Sequence, residues 1–193
     1  ADDNAMGASA FEFRQASTEN VARLQSDGNP RTIANNVIVA DTRAQVFMGG
    51  PGTGDLTFTG ETNWGGAGKQ LTVDGITVTY TGPFLGDNAT TSNQFFGTGL
   101  DDSIVILDGD RGVATKIIDV RTGVTVRLVS DLGAGAGGNA IRVRGADDDG
   151  VLELVGGVTP ARQIRVQGRT LDANLAPALR NASGVNVVND LFI

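Results

Sequence analysis

Leu71-Thr72-Val73-Asp74-Gly75-Ile76-Thr77-Val78-Thr79-Tyr80 is the plainest structural signal in the chain. Apolar and polar residues alternate on both sides of Asp74-Gly75, the two-residue period of a half-buried strand. Asp-Gly between two such runs predicts a type I′ hairpin, because both central positions of that turn need positive φ. Outward from there the same pattern recurs. Val113 to Val120 and Val124 to Val129 predict a second hairpin, turning at Thr122-Gly123. Asn36 to Ala40, Ala44 to Met48, Ala140 to Arg144, Val151 to Val155 and Gln163 to Gln167 are further strand-length runs ended by turn residues. Val185 to Ile193 closes the chain as a strand or tail. Two short helices are expected, one over 17–25 with Ser17 as N-cap and one over 174–180 with Pro177 in its first turn.

These elements predict a mainly-β fold, an antiparallel sandwich or barrel of about ten short strands with one or two short helices. The boundaries read as an N-terminal arm over 1–31 and a single mainly-β domain over 32–193, with long loops at 49–68 and 82–103. No fixed period of 20–50 residues is visible, which disfavours a solenoid or propeller.

The 193 residues carry 15 basic and 22 acidic side chains, 28 glycines, no histidine and no cysteine. The two absences remove the thiol nucleophile, the imidazole base, the His-bearing triad and ordinary zinc, haem or iron–sulfur sites. A non-enzyme without a cofactor is therefore expected, and the missing cysteines leave the redox compartment undetermined. Apolar runs such as 104–107 fall far short of the ~20 residues that span a bilayer, so no membrane partner is expected. Two lysines and a net charge of −7 argue against a dedicated nucleic-acid binder. No signal peptide precedes Ala1 as given; loss of an initiator Met and cleavage of a signal both fit this start.

Gly133 to Gly138 meets the spacing G-x-G-x-x-G, but a strand pattern follows where a dinucleotide site needs a helix. Gly65 to Gln70 approaches a P-loop and lacks its first glycine and its hydroxyl residue. Carboxylates are the chemistry that remains. Asp101, Asp102, Asp108 and Asp110 are weak calcium candidates, set against the plain reading of solvated turns. An EF-type loop starting at Asp108 would place Val113 where the turn wants glycine. A sugar-cleaving carboxylate pair is not singled out, and few aromatics are available to stack on sugar.

Charge is uneven: residues 1–110 hold 14 acids and 5 bases, residues 111–193 hold 8 acids and 10 bases. Arg127, Arg142, Arg144 and Arg165 fall at alternate strand positions. They make either a solvated sheet face or a face that meets acidic loops of a second copy. Phe11 and Phe13 in the N-terminal arm and Trp64 in its glycine-rich loop read as interface anchors or as core. Phe84, Phe95 and Phe96 carry the same two readings.

The stretch Leu132 to Arg144, with its Gly-Ala-Gly-Gly-Asn-Ala-Ile turn, followed by Val151 to Val158, resembles a glycine-rich β module of tailed-bacteriophage virion proteins. The run from Gly68 to Thr81 is similar to a hairpin that accompanies it. The resemblance implies a structural protomer of the head-decoration (cement) or tail-tube type, located in the virion and carrying no catalytic residues. Its partners would be copies of itself and other virion proteins such as the major capsid protein, with no sequence-specific nucleic acid. The alternatives are a secreted prokaryotic surface-layer or filament subunit, extracellular or at the cell surface and calcium-linked, and a carbohydrate-binding module.

Overall fold

A computed structural model describes residues 7, 9–14, 21–40, 45–65, 68–85, 92–99, 101–110, 117–135, 139–144, 148–167 and 177–193. The chain winds through three sheets in turn. The first coil contributes β1 (Phe11–Phe13), β2 (Ala22–Leu24) and β3 (Arg31–Ile33), and the second β4 (Val37–Val39), β5 (Gln45–Gly49) and β6 (Leu56–Phe58). The third contributes β7 (Thr62–Asn63), β8 (Lys69–Asp74) and β9 (Thr77–Tyr80), and the fourth β10 (Phe84–Leu85), β11 (Ser92–Gly97) and β12 (Ile104–Leu107). Later coils place two strands each among the described residues. These are β13 (Ile117–Val120) with β14 (Thr125–Leu128), β15 (Ile141–Val143) with β16 (Val151–Val155), and β17 (Ile164–Val166) with β18 (Leu179–Ser183). Last comes β19 (Leu191–Phe192). Sheet I runs β1-β4-β7-β10, sheet II runs β19-β17-β15-β13-β11-β8-β5-β2, and sheet III runs β18-β16-β14-β12-β9-β6-β3.

Every one of these pairings is parallel, so the fold is a β-solenoid and not the antiparallel sandwich or barrel that the alternation suggested. Alternation reports only that one face of each strand is buried; it is blind to which strand lies alongside. The two expected hairpins are corners. Asp74-Gly75 joins β8 in sheet II to β9 in sheet III, and Thr122-Gly123 joins β13 to β14 in the same way. Gly75 at φ 64° and Gly123 at φ 70° supply the positive dihedral that each corner needs.

The helices also change character. Ala22–Leu24 and Leu179–Ser183 are strands, whereas 15–20 and 168–176 lie outside the described residues. The only helical turn among the described residues is 3-10, at Leu132–Ala134. The segments read as long loops hold strands, β6 and β7 within 49–68, β10 and β11 within 82–103. Phe11–Phe13, in the expected arm, pairs with Val37–Val39.

A repeat does exist, with a variable length. Val46 lies opposite Leu71, 25 residues on, whereas Val105 lies opposite Val126, 21 residues on, and Leu152 opposite Leu179, 27 residues on. Inside the solenoid each side chain therefore sits on its counterpart one coil below, about 4.8 Å away. Leu56, Val78, Val105, Val126 and Leu152 form one such buried column, and Phe58 stacks on Tyr80 at 5.1 Å between ring centroids.

Glycine makes this spacing possible where sheet III hands the chain on. A Cβ at Gly82 would overlap the carbonyl oxygen of Gly60, one at Gly109 that of Gly82, and one at Gly133 that of Leu107. The coils touch backbone to backbone at this corner.

Candidate functional site

Outward-facing side chains also line up coil on coil, and the residues expected to carry chemistry stand in these ladders. On sheet II the register sets Gln45, Gln70, Gln94, Asp119, Arg142, Arg165 and Phe192 in one row along the solenoid. A neighbouring row runs Arg23, Phe47, Thr72 and Phe96. Gln70 Nε2 donates to Gln94 Oε1 at 3.0 Å. The guanidinium of Arg23 lies 5.0 Å from the Phe47 ring centroid, that of Arg121 5.9 Å from Phe96, and that of Arg165 5.7 Å from Phe192.

The four predicted arginines split between two sheets. Arg127 stands on sheet III, opposite Glu153, which in turn lies opposite Arg180. Arg127 Nε donates to Glu153 at 2.6 Å and Arg180 pairs with the other carboxylate oxygen. Glu153 is 1% exposed, so its charge is held by the two arginines that flank it, one from the coil below and one from the coil above. Arg144, on sheet II, donates through Nε and Nη2 to the two oxygens of the fully buried Asp119, each at 3.0 Å. Those bonds push the Arg144 guanidinium above its ordinary range. Arg121 ties Asp119 to Asp148 of the next coil, 3.6 and 3.2 Å from the two carboxylates.

Arg142 and Arg165 differ. They are register partners on adjacent strands, and although Arg142 lies opposite Asp119, neither arginine forms an ion pair among the described residues. Arg165 is exposed, with the amide oxygen of Gln163 and the Phe192 ring beside it.

The acidic turns are joints between coils. Asp55 accepts from the Thr77 amide at 2.8 Å, Asp74 from the Thr98 hydroxyl at 2.8 Å, and Asp149 from the Gly123 amide. The four calcium candidates do not come together. Asp101 and Asp102 stand at the corner before β12 and Asp108 and Asp110 at its far end, roughly 20 Å apart for a strand of that span. Among the described residues no three acidic side chains group as a metal site.

Trp64 is 1% exposed, packed on Phe84 at 5.2 Å and on Phe95 at 5.8 Å between centroids, so it is a core anchor of the third and fourth coils. Phe13 is also buried, with Phe11 half-buried against it at 4.7 Å. Sequence reasoning passed over the amide row, over Glu153 as the centre of a charge ladder, and over Arg162. Arg162 is 2% exposed and donates to the carbonyls of Ala134 and Asn139, and burial lowers its pKa to about 10. The available signal was charge complementarity one coil apart: 119 with 144, 127 with 153, 153 with 180.

The last coil leaves Val185, Val187, Leu191, Phe192 and Ile193 exposed. No helix among the described residues is long and apolar enough to cross a membrane. The chain matches no family model, no curated protein and no solved structure.

Proposed function

We propose that this protein is a non-enzymatic structural subunit that works by association with copies of itself, and that the particle it serves is a phage virion. The observation that carries the structural role is the use made of its charged side chains. Asp119, Asp148 and Glu153 are spent on bonds between coils with Arg121, Arg127, Arg144 and Arg180, which stiffens a rod rather than poising a reaction. The virion placement, as head decoration or tail tube in contact with the major capsid protein, rests on the resemblance of 132–158 and 68–81. Self-association is supported by the run of exposed large apolar residues Val185, Val187, Leu191 and Phe192, a concentration of the kind that marks interaction surfaces.

Light scattering of the purified protein, with calcium and with a chelator, tests this. The expected result is an oligomer of defined mass in both, reduced to monomer by Phe192→Ser with Leu191→Ser. A monomer at every concentration overturns self-association. An oligomer that forms only with calcium replaces the virion reading with the surface-layer one.

A further inference from the structure

The outer face of sheet II has a composition that a solvated strand face does not need. Its first four coils show amides, a threonine and two half-buried phenylalanines and, in the two rows, no acid at all. Its later coils continue through Asp119, which is buried and bonded to Arg144, to Arg142, Arg165 and Phe192. Like charges directly opposite on neighbouring strands repel, and the one carboxylate beside them, Asp119 opposite Arg142, is already bonded by Arg144 and Arg121.

We propose that this face binds a linear acidic polysaccharide laid along the solenoid axis, across the strands. Each feature meets a part of such a chain. Phe47 and Phe96, two coils or ~10 Å apart, offer ring faces to the apolar C–H faces of sugar rings. The Arg23 and Arg121 guanidiniums lie over one face of each ring and hold it in place, which leaves the opposite face for a sugar. Gln70 and Gln94 present carbonyl and NH2 groups in one line, the donor–acceptor pairing that adjacent sugar hydroxyls require. Arg142 and Arg165 present planar forks to carboxylate or sulfate groups on the same chain. An extended polymer fits because the row runs continuously from strand to strand, at the spacing that the strands set. The face shares only Phe192 with the exposed apolar residues at 185–193, and the proposal stands whether or not the protein belongs to a virion.

Affinity electrophoresis of the intact protein at physiological salt tests it, with alginate, dextran sulfate, neutral dextran and single-stranded DNA as probes. The expected result is retardation by at least one acidic polysaccharide about tenfold stronger than by dextran or DNA. Arg142→Gln with Arg165→Gln is expected to cost about tenfold, and Phe96→Ala a similar factor, with the unfolding midpoint of the arginine variant unchanged. No retardation by either acidic polysaccharide overturns the proposal, as does equal retardation by DNA, which marks a bare charge effect. If the arginine variant instead lowers the oligomer mass with no polysaccharide present, the face is a contact between copies and the proposal fails.

Discussion

The first four coils and the later ones are built on the same winding but held by different forces. Residues 11–95 contain every described ring pair, from Phe11 on Phe13 through Phe58 on Tyr80 to Trp64 between Phe84 and Phe95, and every described strand of sheet I. Residues 119–180 have no ring pair among those described, and in their place stand Asp119 with Arg144, Arg121 with Asp148, and Arg127–Glu153–Arg180. The charge imbalance of the sequence follows this division. A coil can be joined to the next by area removed from water or by matched charges at its rim, and the two respond to different insults.

Trp64→Ala should be the most damaging single change, since it empties the contact of Trp64 with Phe84 and Phe95; urea unfolding is expected to show a loss of about 3–5 kcal/mol. A loss below ~1 kcal/mol would mean that aromatic packing does not hold the first coils. Glu153→Ala tests the other half. It leaves Arg127 and Arg180 facing each other across an empty site, and about 2–3 kcal/mol is expected, discounted because both arginines keep part of their surface in water. Arg180→Ala, removing the more exposed partner, should cost less than ~1 kcal/mol. If the two substitutions cost the same, the ladder is not centred on the carboxylate.

Asn93→Val should act in the opposite direction. Asn93 is fully buried opposite Lys69 on the neighbouring strand, and neither amide atom has a hydrogen-bond partner among the described residues. Replacing it by an apolar residue of similar size should raise stability by about 1 kcal/mol, read as a higher urea midpoint. A lowered midpoint would show that the amide is satisfied in solution.

The smallest effect is at Asp27, whose carboxyl is held well below the usual carboxylate range by hydrogen bonds from Arg31. A depressed folded-state pKa contributes stability above the unfolded value of 3.8 that is lost as the pH falls through the folded value. Asp27→Asn should therefore flatten the acid limb of the stability curve below pH ~4 slightly, and leave neutral pH almost unaffected. An unchanged acid limb would make the pair incidental.

Much of the local structure was legible. The alternating runs around Asp74-Gly75 are strands, and the turn stands where the Asp-Gly pair put it. The error lay in what the turn does. A hairpin would set β9 beside β8, whereas here β8 lies between β5 and β11 in one sheet and β9 between β6 and β12 in another. Local residues fix a change of direction, and the partner waits more than twenty residues away. The repeat was hidden for a related reason. Coil length drifts because corners absorb insertions, and the column Gly60, Gly82, Gly109 keeps its contact although 22 and then 27 residues separate its members. The arginines at 127 and 144 read as an outward face because their carboxylates are 26 and 25 residues distant.

By itself the sequence determined the alternating strands around Asp74-Gly75 and Thr122-Gly123, the apolar face of each, the turns between them, and that histidine and cysteine chemistry is absent. All of these depend on neighbours within a few residues, where alternation and backbone sterics act. Only the tertiary structure decided that the strands run parallel and that Trp64 is core. It also decided that the acids of one coil belong to the arginines of the next, and that two arginines of sheet II form no ion pair among the described residues. Those facts depend on register between coils, which backbone hydrogen bonds and stacked side chains set together across the whole rod.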